Sequence, residues 1–374
     1  MELDLSSDQE LLRDSAARFI DSTCPLPTVR ELIGSETGLP ADYLRGAGEL
    51  GWFALLVPEE HGGGSISGEG VCDLAIIAEE RGRALQPGPF VCMNVVAAAL
   101  AAAGSPEQQA GILPSVRDGE AVATWVLGDA IEGLASDSSL TATSRGNGFV
   151  VSGQADPVDG GAMADWFLVT TGGEEGLTQF IVSATTPGIA VTPLQGLDIT
   201  KRYASVAFDD TIVPATSVLG RPGHGDADVE HQLQLACVLS ASETVGATDA
   251  LFEITRRYAV ERTAFGRPIG SFQAVKHQLA DMSLSLEAGK AISTAAVRAV
   301  QEHRQDAGAI ASIAKSWVSD TGVDIAQGCA QVFAGIGFTW EHDLHLFLRR
   351  ITMNGLLFGQ SDRHRERLCR INGI

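Results

Sequence analysis

Apolar residues recur at helical spacing through the first 120 residues. Ser6 lies three residues before Gln9, which is the spacing of a capping box, and apolar positions at three- and four-residue intervals continue to Ile20. The same periodicity predicts helices through residues 76–85 and 93–103, each ending just before glycine and proline. The first third of the chain is therefore predicted to be helical.

The pattern changes to short strands between residues 121 and 230. Residues 140–144 and 148–152 flank an Arg-Gly-Asn turn and predict a hairpin. Residues 166–170 and 179–182 are similar apolar runs. Several short strands in succession are typical of a small barrel or sandwich.

Helical periodicity returns after residue 230 and predicts an up-and-down bundle. Four helices are predicted there, at residues 232–261, 273–304, 307–334 and 362–369. The fold class expected is α+β, mostly α. Its three domains are a helical one (1–120), a central β-barrel (121–230) and a C-terminal four-helix bundle (231–374).

Charge and cysteine content narrow the classes of partner. The formal net charge of −21 and the pI of about 4.7 disfavour nucleic acid and anionic membranes as partners. The acidic N-terminus has no signal-peptide pattern, and the 6 cysteines form no disulfide or metal-ligand spacing. We therefore expect a cytoplasmic protein with no membrane segment and no metal site.

Three motifs occur together and in order along the chain. They are V-A-F-D-D leading to V-P at residues 206–214, R-T-A-F-G-R-P-I at 262–269, and Q-V-F-A-G-I-G-F-T at 331–339. Taken singly, each has a simpler explanation, such as a solvated arginine at a helix end or a glycine turn between helices. As a set they resemble the acyl-CoA dehydrogenase family, whose members carry F-D-x-x-x-V-P, R-x-x-F-G-x-P and Q-x-x-G-G-x-G.

The resemblance implies the fold described above and an FAD bound between subunits. It assigns Arg262 to the FAD pyrophosphate of a neighbouring protomer, a contact that suits the forked guanidinium. Phe265 and Gln273 match further cofactor contacts. The turn that would meet the diphosphate and ribose comprises Gln331, Val332, Phe333, Ala334 and Gly335. Ala334 replaces the first glycine of that turn, a change that is tolerated if its φ is negative.

The catalytic base of the family has no counterpart at its usual positions. Phe358 stands where the glutamate of Y-E-G-T belongs, and Ala236 occupies the alternative position on the long helix before R-x-x-F-G. Glu243 lies seven residues after Ala236, two helical turns along the same face. We predict Glu243 as the base or a pocket acid; the alternative is an intersubunit or buried structural ion pair, for example with an arginine.

The β-domain departs from the family pattern where the flavin ring is contacted. Residues 127–133 replace T-E-P-x-x-G-S-D, and Pro157, Val158 and Asp159 replace aromatic-Ile-Thr/Ser. Asp159 and Gly160 still offer backbone amides. Cys237 replaces a helix arginine that often assists acyl-CoA binding.

Three functional hypotheses follow from the resemblance. The first is an FAD-dependent acyl-CoA dehydrogenase of lipid catabolism that makes a 2-enoyl-CoA, with an electron-transferring flavoprotein as acceptor, in a homo-oligomer. The second is a non-catalytic half-site subunit in a heterotetramer with a paralogous partner. The third is other flavin chemistry on the same fold.

Overall fold

The N-terminal region is helical, as the apolar periodicity predicts. The computed structural model describes residues 5–128, 138–173 and 175–373. The first seven helices are α1 Ser7–Thr23, α2 Leu26–Glu31, α3 Tyr43–Glu49, α4 Gly70–Arg83, α5 Phe90–Ala103, α6 Pro106–Gly111 and α7 Leu113–Arg117. The capping box of α1 is confirmed, because the Ser6 hydroxyl accepts from the Gln9 backbone amide and the Gln9 side chain accepts from the Ser6 amide.

The middle of the chain forms two four-stranded sheets that share an apolar interior. The strands are β1 Ala123–Val126, β2 Leu140–Arg145, β3 Gly148–Asp159, β4 Trp166–Thr171, β5 Thr178–Ser183, β6 Ile189–Leu194, β7 Tyr203–Pro214 and β8 Val218–Leu219. Their orders are β1-β4-β5-β8, with β1 and β4 parallel, and β2-β3-β7-β6. The predicted hairpin is confirmed: Arg145 pairs with Gly148, and Gly146 adopts a positive φ of 60° in the turn.

The described residues of the C-terminal region form five α-helices. They are α8 Asp226–Glu261, α9 Gln273–Gln301, α10 Ala307–Phe333, α11 Leu344–Leu356 and α12 Ser361–Ile371. A two-residue ribbon, β9 Thr263–Ala264 with β10 Arg267–Pro268, joins α8 to α9. The sequence prediction of four helices missed α11, because its two arginines, Arg349 and Arg350, interrupt the expected apolar stripe.

The N-terminal and C-terminal helices pack on each other to form one apolar core. Helices α4 and α8 approach so closely that a Cβ atom on Gly82 would lie 2.0 Å from the carbonyl oxygen of Glu243. The contact is reciprocal, since a Cβ atom on Gly246 would lie 2.0 Å from the carbonyl oxygen of Glu79. Glycine is required at both positions, and the contact fixes the segment of α8 that carries Glu243.

Helix α8 is the central helix of this core. Among the described residues it alone has the length and apolar content to cross a membrane, and 83% of that apolar stretch is buried inside the protein. Burial within the protein accounts for this composition.

Candidate functional site

A cavity of about 690 Å³ lies where the β-region meets the helices. Its walls come from α5 (Cys92), from Trp125 to Gly128 at the end of β1, from residues 155–159 of β3 and from residues 356–363 around the start of α12. A cavity of this volume, lined by both aromatic and polar side chains, is large enough for a small molecule.

Two aromatic rings form one wall of the cavity. The rings of Trp125 and Phe358 are stacked, with centroids 6.3 Å apart and planes inclined by 21°. The Trp125 indole N–H is held by a 2.9 Å hydrogen bond to the Thr170 hydroxyl. A phenyl ring thus lines the cavity at the position where the resemblance places a glutamate, and it cannot accept a proton.

The turn that carries Phe358 is fixed from behind by α12. Burial lowers the pKa of His364 to about 4, so its ring is neutral at pH 7. Its Nε2 lies 3.0 Å from the Phe358 carbonyl oxygen, which assigns the ring proton to Nε2 as donor. Phe358 itself has a positive φ of 56°, a conformation that is rare for residues other than glycine.

Asp159 lines the cavity, and its carboxylate is buried in the protein interior. The pairing of β3 with β7 is irregular between Ala155 and Val158, and after this irregularity both Val158 and Asp159 are buried. Asp159 is 3% exposed, one of its carboxylate oxygens lies 3.4 Å from Lys201 Nζ, and the other has no hydrogen-bond partner. Burial raises the pKa of Asp159, and the Lys201 charge offsets only part of this effect.

Asp159 is the last member of a buried ion-pair network whose five side chains alternate in charge. In order they are Asp198, Arg350, Glu243, Lys201 and Asp159, and every side chain is at most 1% exposed. The closest N–O distances along the network are 2.5, 2.6, 3.3 and 3.4 Å. Because each buried charge contacts an opposite charge, the interior tolerates all five groups.

The structure places Glu243 within this network and not on the cavity wall. Arg350 donates to one carboxylate oxygen, and Lys201 Nζ lies 3.3 Å from both. Burial alone would raise the pKa of Glu243, but the charges of Lys201 and Arg350 outweigh it and lower the pKa to about 2. A carboxylate with this pKa is a weak base, so the geometry matches the alternative of a buried ion pair with an arginine. Ala236 is also fully buried.

Six of the eight residues that the resemblance assigns to FAD are exposed, and none of the eight lines this cavity. Phe265 is 96% exposed with a φ of 52°, and Arg262 and Gln273 are also exposed. The predicted cofactor residues and the cavity are therefore separate features of this chain.

The predicted cofactor turn at the end of α10 is partly exposed and partly buried. Gln331, Ala334 and Gly335 are exposed, whereas Val332 and Phe333 are buried, and the Phe333 ring stacks on Tyr258 at 4.3 Å. The condition under which alanine would be tolerated here, a negative φ at Ala334, is not met: its φ is 52° with ψ −136°, a region that favours glycine. Ala334 is therefore strained.

Three members of the network were missed by the sequence reasoning, namely Asp198, Lys201 and Arg350. The available signal was a charged residue inside an apolar run, and Arg350 follows Leu346, Phe347 and Leu348 in such a run. The departure predicted at residues 127–133 falls largely on residues 129–137, which lie outside the described part of the chain. Among the described residues, no group of three His, Cys, Asp or Glu side chains could hold a metal ion.

Comparisons with known proteins agree with the motifs. Residues 6–120 match the acyl-CoA dehydrogenase N-terminal domain and residues 223–371 match the acyl-CoA dehydrogenase C-terminal domain. The acyl-CoA dehydrogenase IpdE2 of Mycobacterium tuberculosis is 30% identical over 92% of this chain and 90% of its own length.

Two solved structures are similar over nearly the whole chain. The ChsE4-ChsE5 complex from Mycobacterium tuberculosis is 26% identical with a TM-score of 0.90, covering 100% of this chain and 99% of that one. The Tcur3481-Tcur3483 steroid ACAD is 27% identical with a TM-score of 0.88 and covers 98% of each chain. The chain is a member of the acyl-CoA dehydrogenase family, an oxidoreductase fold whose cofactor is FAD.

Proposed function

We propose that this chain is the half-site subunit of a heteromeric acyl-CoA dehydrogenase that converts a saturated acyl-CoA into a 2-enoyl-CoA. A paralogous subunit supplies the catalytic base in its own cavity. The observation that carries the proposal is Phe358, a phenyl ring on the cavity wall where the resemblance places the glutamate. Glu243 does not replace that glutamate, because it is paired with Arg350 and Lys201.

The exposed cofactor residues support an assembly. Phe265 is a large apolar side chain left 96% exposed in the turn between β9 and β10, and Arg262 is exposed three residues earlier. Such groups become favourable when a ligand or partner covers them. In the proposed assembly Arg262 binds the FAD diphosphate and Phe265 packs on the cofactor held by the paralogous subunit.

Two observations fit FAD to this chain. The cavity is large enough for a flavin ring and is walled by Trp125, and the exposed turn at Ala334 and Gly335 leaves its backbone open to a phosphate. When bound, FAD supplies the hydride-accepting chemistry. The protein supplies orientation, water exclusion and the proton acceptor, of which the last is absent at position 358.

The solved relatives support the mixed assembly as a hypothesis. The two similar structures named above carry two protein names each, as a complex would. A cytoplasmic location and an electron-transferring flavoprotein as electron acceptor belong to the same proposal.

The test uses the flavin absorption band of the isolated chain loaded with FAD. On anaerobic mixing with a panel of saturated acyl-CoAs, we expect no bleaching by the wild-type chain. Phe358→Glu should restore bleaching because it returns a carboxylate to the cavity wall, where partial burial raises its pKa toward that of an effective base. Phe358→Gln is the matched control, because glutamine has nearly the same shape as the introduced glutamate but carries no charge.

The competing hypothesis is a self-sufficient dehydrogenase with Glu243 as base. It requires that the wild-type chain alone bleaches with an acyl-CoA and that Glu243→Gln abolishes the bleaching while flavin is retained. That pair of results would overturn the half-site proposal.

A further inference from the structure

Lys315 of α10 is a buried amine that belongs neither to the cavity lining nor to the ion-pair network. Its side chain is 1% exposed, and no carboxylate of the described residues forms an ion pair with it. Burial lowers the pKa of Lys315 from 10.5 to about 8, so the amine is still mostly charged at pH 7. An ammonium group buried without a counter-ion lowers the stability of the fold, which makes Lys315 a candidate for a functional role.

The titratable groups around Lys315 leave its charge without a direct partner. They are Cys237 and Glu230 of α8, Asp320 of α10, and His364 and Arg367 of α12. Burial raises the pKa of the Cys237 thiol to about 12 and lowers that of His364 to about 4, so both are neutral at pH 7. Glu230 is paired with Arg367, and Asp320 is bound to Ser361 and to the exposed arginine at position 365. Within the described part of the chain, α9 and α11 contribute no titratable group that acts on the pKa of Lys315.

The strongest hydrogen bond of Lys315 goes to the end of α11. Its Nζ donates to the Asn354 carbonyl oxygen at 2.7 Å and lies 3.4 Å from the Ser319 hydroxyl. Asn354 belongs to the last turn of α11, where carbonyl groups lack partners inside the helix and the helix dipole is negative. The same carbonyl accepts a longer bond of 3.4 Å from the Ser240 hydroxyl of α8. Lys315 therefore caps the C-terminus of α11 from a neighbouring helix.

Residues 357–360, here called the Phe358 turn, follow this cap and line the cavity. The turn is attached to α10 on both sides. Before it lies the capped Asn354, and after it the Ser361 hydroxyl donates to the Asp320 carboxylate at 2.6 Å. The positive φ of Phe358 is unfavourable for a phenylalanine, so contacts at both ends of the turn are needed to maintain it.

We propose that Lys315 is a positioning residue for the cavity: its buried ammonium group caps α11 at Asn354 and thereby holds the Phe358 turn, with its phenyl ring, in the cavity wall. The charge strengthens the cap, because a charged donor forms a stronger hydrogen bond than a neutral one. The same charge opposes folding of the whole chain because it is buried. This inference concerns the chain's own cavity wall and does not depend on the proposed function.

Burial of the charge gives global stability a pH dependence of defined sign. The pKa of Lys315 is about 8 in the folded chain, against an ordinary value of 10.5 when unfolded. Between these values the unfolded state binds more protons, so the free energy of unfolding rises with pH relative to a variant without this amine. The unfolding constant of the wild type, divided by that of Lys315→Met, should fall by on the order of a hundredfold between pH 8 and pH 10.5.

The experiment compares local order with global stability in the full chain. Hydrogen exchange read by mass spectrometry gives the protection of residues 354–361, and urea unfolding gives the global stability. At pH 7 we expect Lys315→Met to lose on the order of tenfold protection in this segment while being at least as stable overall as the wild type. A residue with a purely structural role would lower both quantities together.

Lys290→Met is the matched control, because it removes the same charge from a lysine that does not line the cavity. Lys290 lies on α9 and is paired with Asp249 and Glu287. Burial lowers the pKa of Lys290, but these two partners outweigh it and raise the pKa above 10.5. The control should keep wild-type protection in residues 354–361, and its stability difference from the wild type should be constant below pH 10.5.

A second variant, Lys315→Gln, tests the hydrogen bond without the charge. Glutamine is neutral but can still donate to the Asn354 carbonyl, so it should lose less protection than Lys315→Met. Unchanged protection of residues 354–361 in Lys315→Met overturns the proposal, as does a lower global stability of that variant at pH 7. Failure of both variants to fold also overturns it, because the proposal requires the buried charge to oppose folding.

These outcomes are separate from those of the dehydrogenase test. Unchanged protection in Lys315→Met removes the role of Lys315 but leaves the half-site proposal intact. Bleaching of FAD by acyl-CoA in the wild-type chain alone has the opposite effect.

Discussion

Two regions of this protein reverse the usual distribution of side chains: one buries charged groups, and the other exposes an apolar ring. The buried ion-pair network places five charged side chains in the interior, each at most 1% exposed. The surface formed by Arg262, Phe265, Gln273, Gln331, Ala334 and Gly335, here called the motif surface, leaves a phenyl ring 96% exposed.

The difference separates side chains that find their partners within this chain from side chains that are left without a covering neighbour. Every member of the network contacts an opposite charge from the same chain, although one oxygen of Asp159 has no hydrogen-bond partner. On the motif surface, by contrast, no neighbour from the described part of the chain covers Phe265. Mutations in the network should therefore act on stability, and mutations on the motif surface should act on assembly and cofactor binding.

The largest effect is expected from Arg350→Met. Removing this guanidinium leaves Asp198 buried without its ion-pair partner and leaves Glu243 paired with Lys201. We expect a loss of about 3–5 kcal/mol in the free energy of unfolding, measured with urea. Arg349→Met is the control, because Arg349 is the adjacent, partly exposed arginine and makes one backbone contact, to Leu197. Equal losses in the two variants would contradict the network's role.

Glu243→Gln should reduce stability in a pH-dependent manner. The pKa of Glu243 is lowered from 4.5 to about 2, so its contribution is complete above pH 4.5 and is lost as pH falls from 4.5 to 2. The difference in unfolding free energy between wild type and variant should be roughly 3 kcal/mol at neutral pH and should shrink in that window. A difference that does not vary between these pH values would show that Glu243 is not ion-paired.

Phe265→Ala tests the motif surface. Because the ring is exposed, the free energy of unfolding should change by less than about 0.5 kcal/mol. FAD affinity of the assembled protein should fall by about tenfold, since the ring is buried only against cofactor or partner. The control is Ile212→Ala, which truncates another exposed apolar side chain, 68% exposed, on β7. If both variants bind FAD like the wild type, the motif surface has no role in cofactor binding.

Ala334→Gly should have the smallest effect and the opposite sign. Glycine adopts the φ of 52° without strain, so the free energy of unfolding should rise by up to about 1 kcal/mol. Ala280→Gly, at an exposed position inside α9, should instead lower it by about 1 kcal/mol. A loss at both positions would mean that Ala334 is not strained.

The fold was largely predictable because its signals are local. The Ser6 capping box, the Gly146 hairpin and the helical periodicity of α8 each follow from a few neighbouring residues. Helix α11 was missed because Arg350 lies on its buried face. In a sequence pattern an arginine is interpreted as a surface residue, which breaks the apolar stripe expected for a buried helix face.

The site was only partly predictable because its members are distant in sequence. Glu243 was selected as an isolated acid among small residues, and this observation was sound, but its partners Lys201 and Arg350 lie 42 and 107 residues away. Nothing in the spacing of these residues indicates an ion pair. The left-handed φ of Ala334 was unpredictable for a related reason, since the turn conformation depends on how α10 ends against the rest of the bundle.

The glycine contact between α4 and α8 brings the two ends of the domain order together in space. Backbone meets backbone at Gly82 and Gly246, with no layer of side chains that could be compressed between the helices. The contact joins a helix from the first third of the sequence to one from the last third, and the β-region lies between them along the chain. Because backbone already meets backbone, α4 and α8 cannot move closer together beside the cavity.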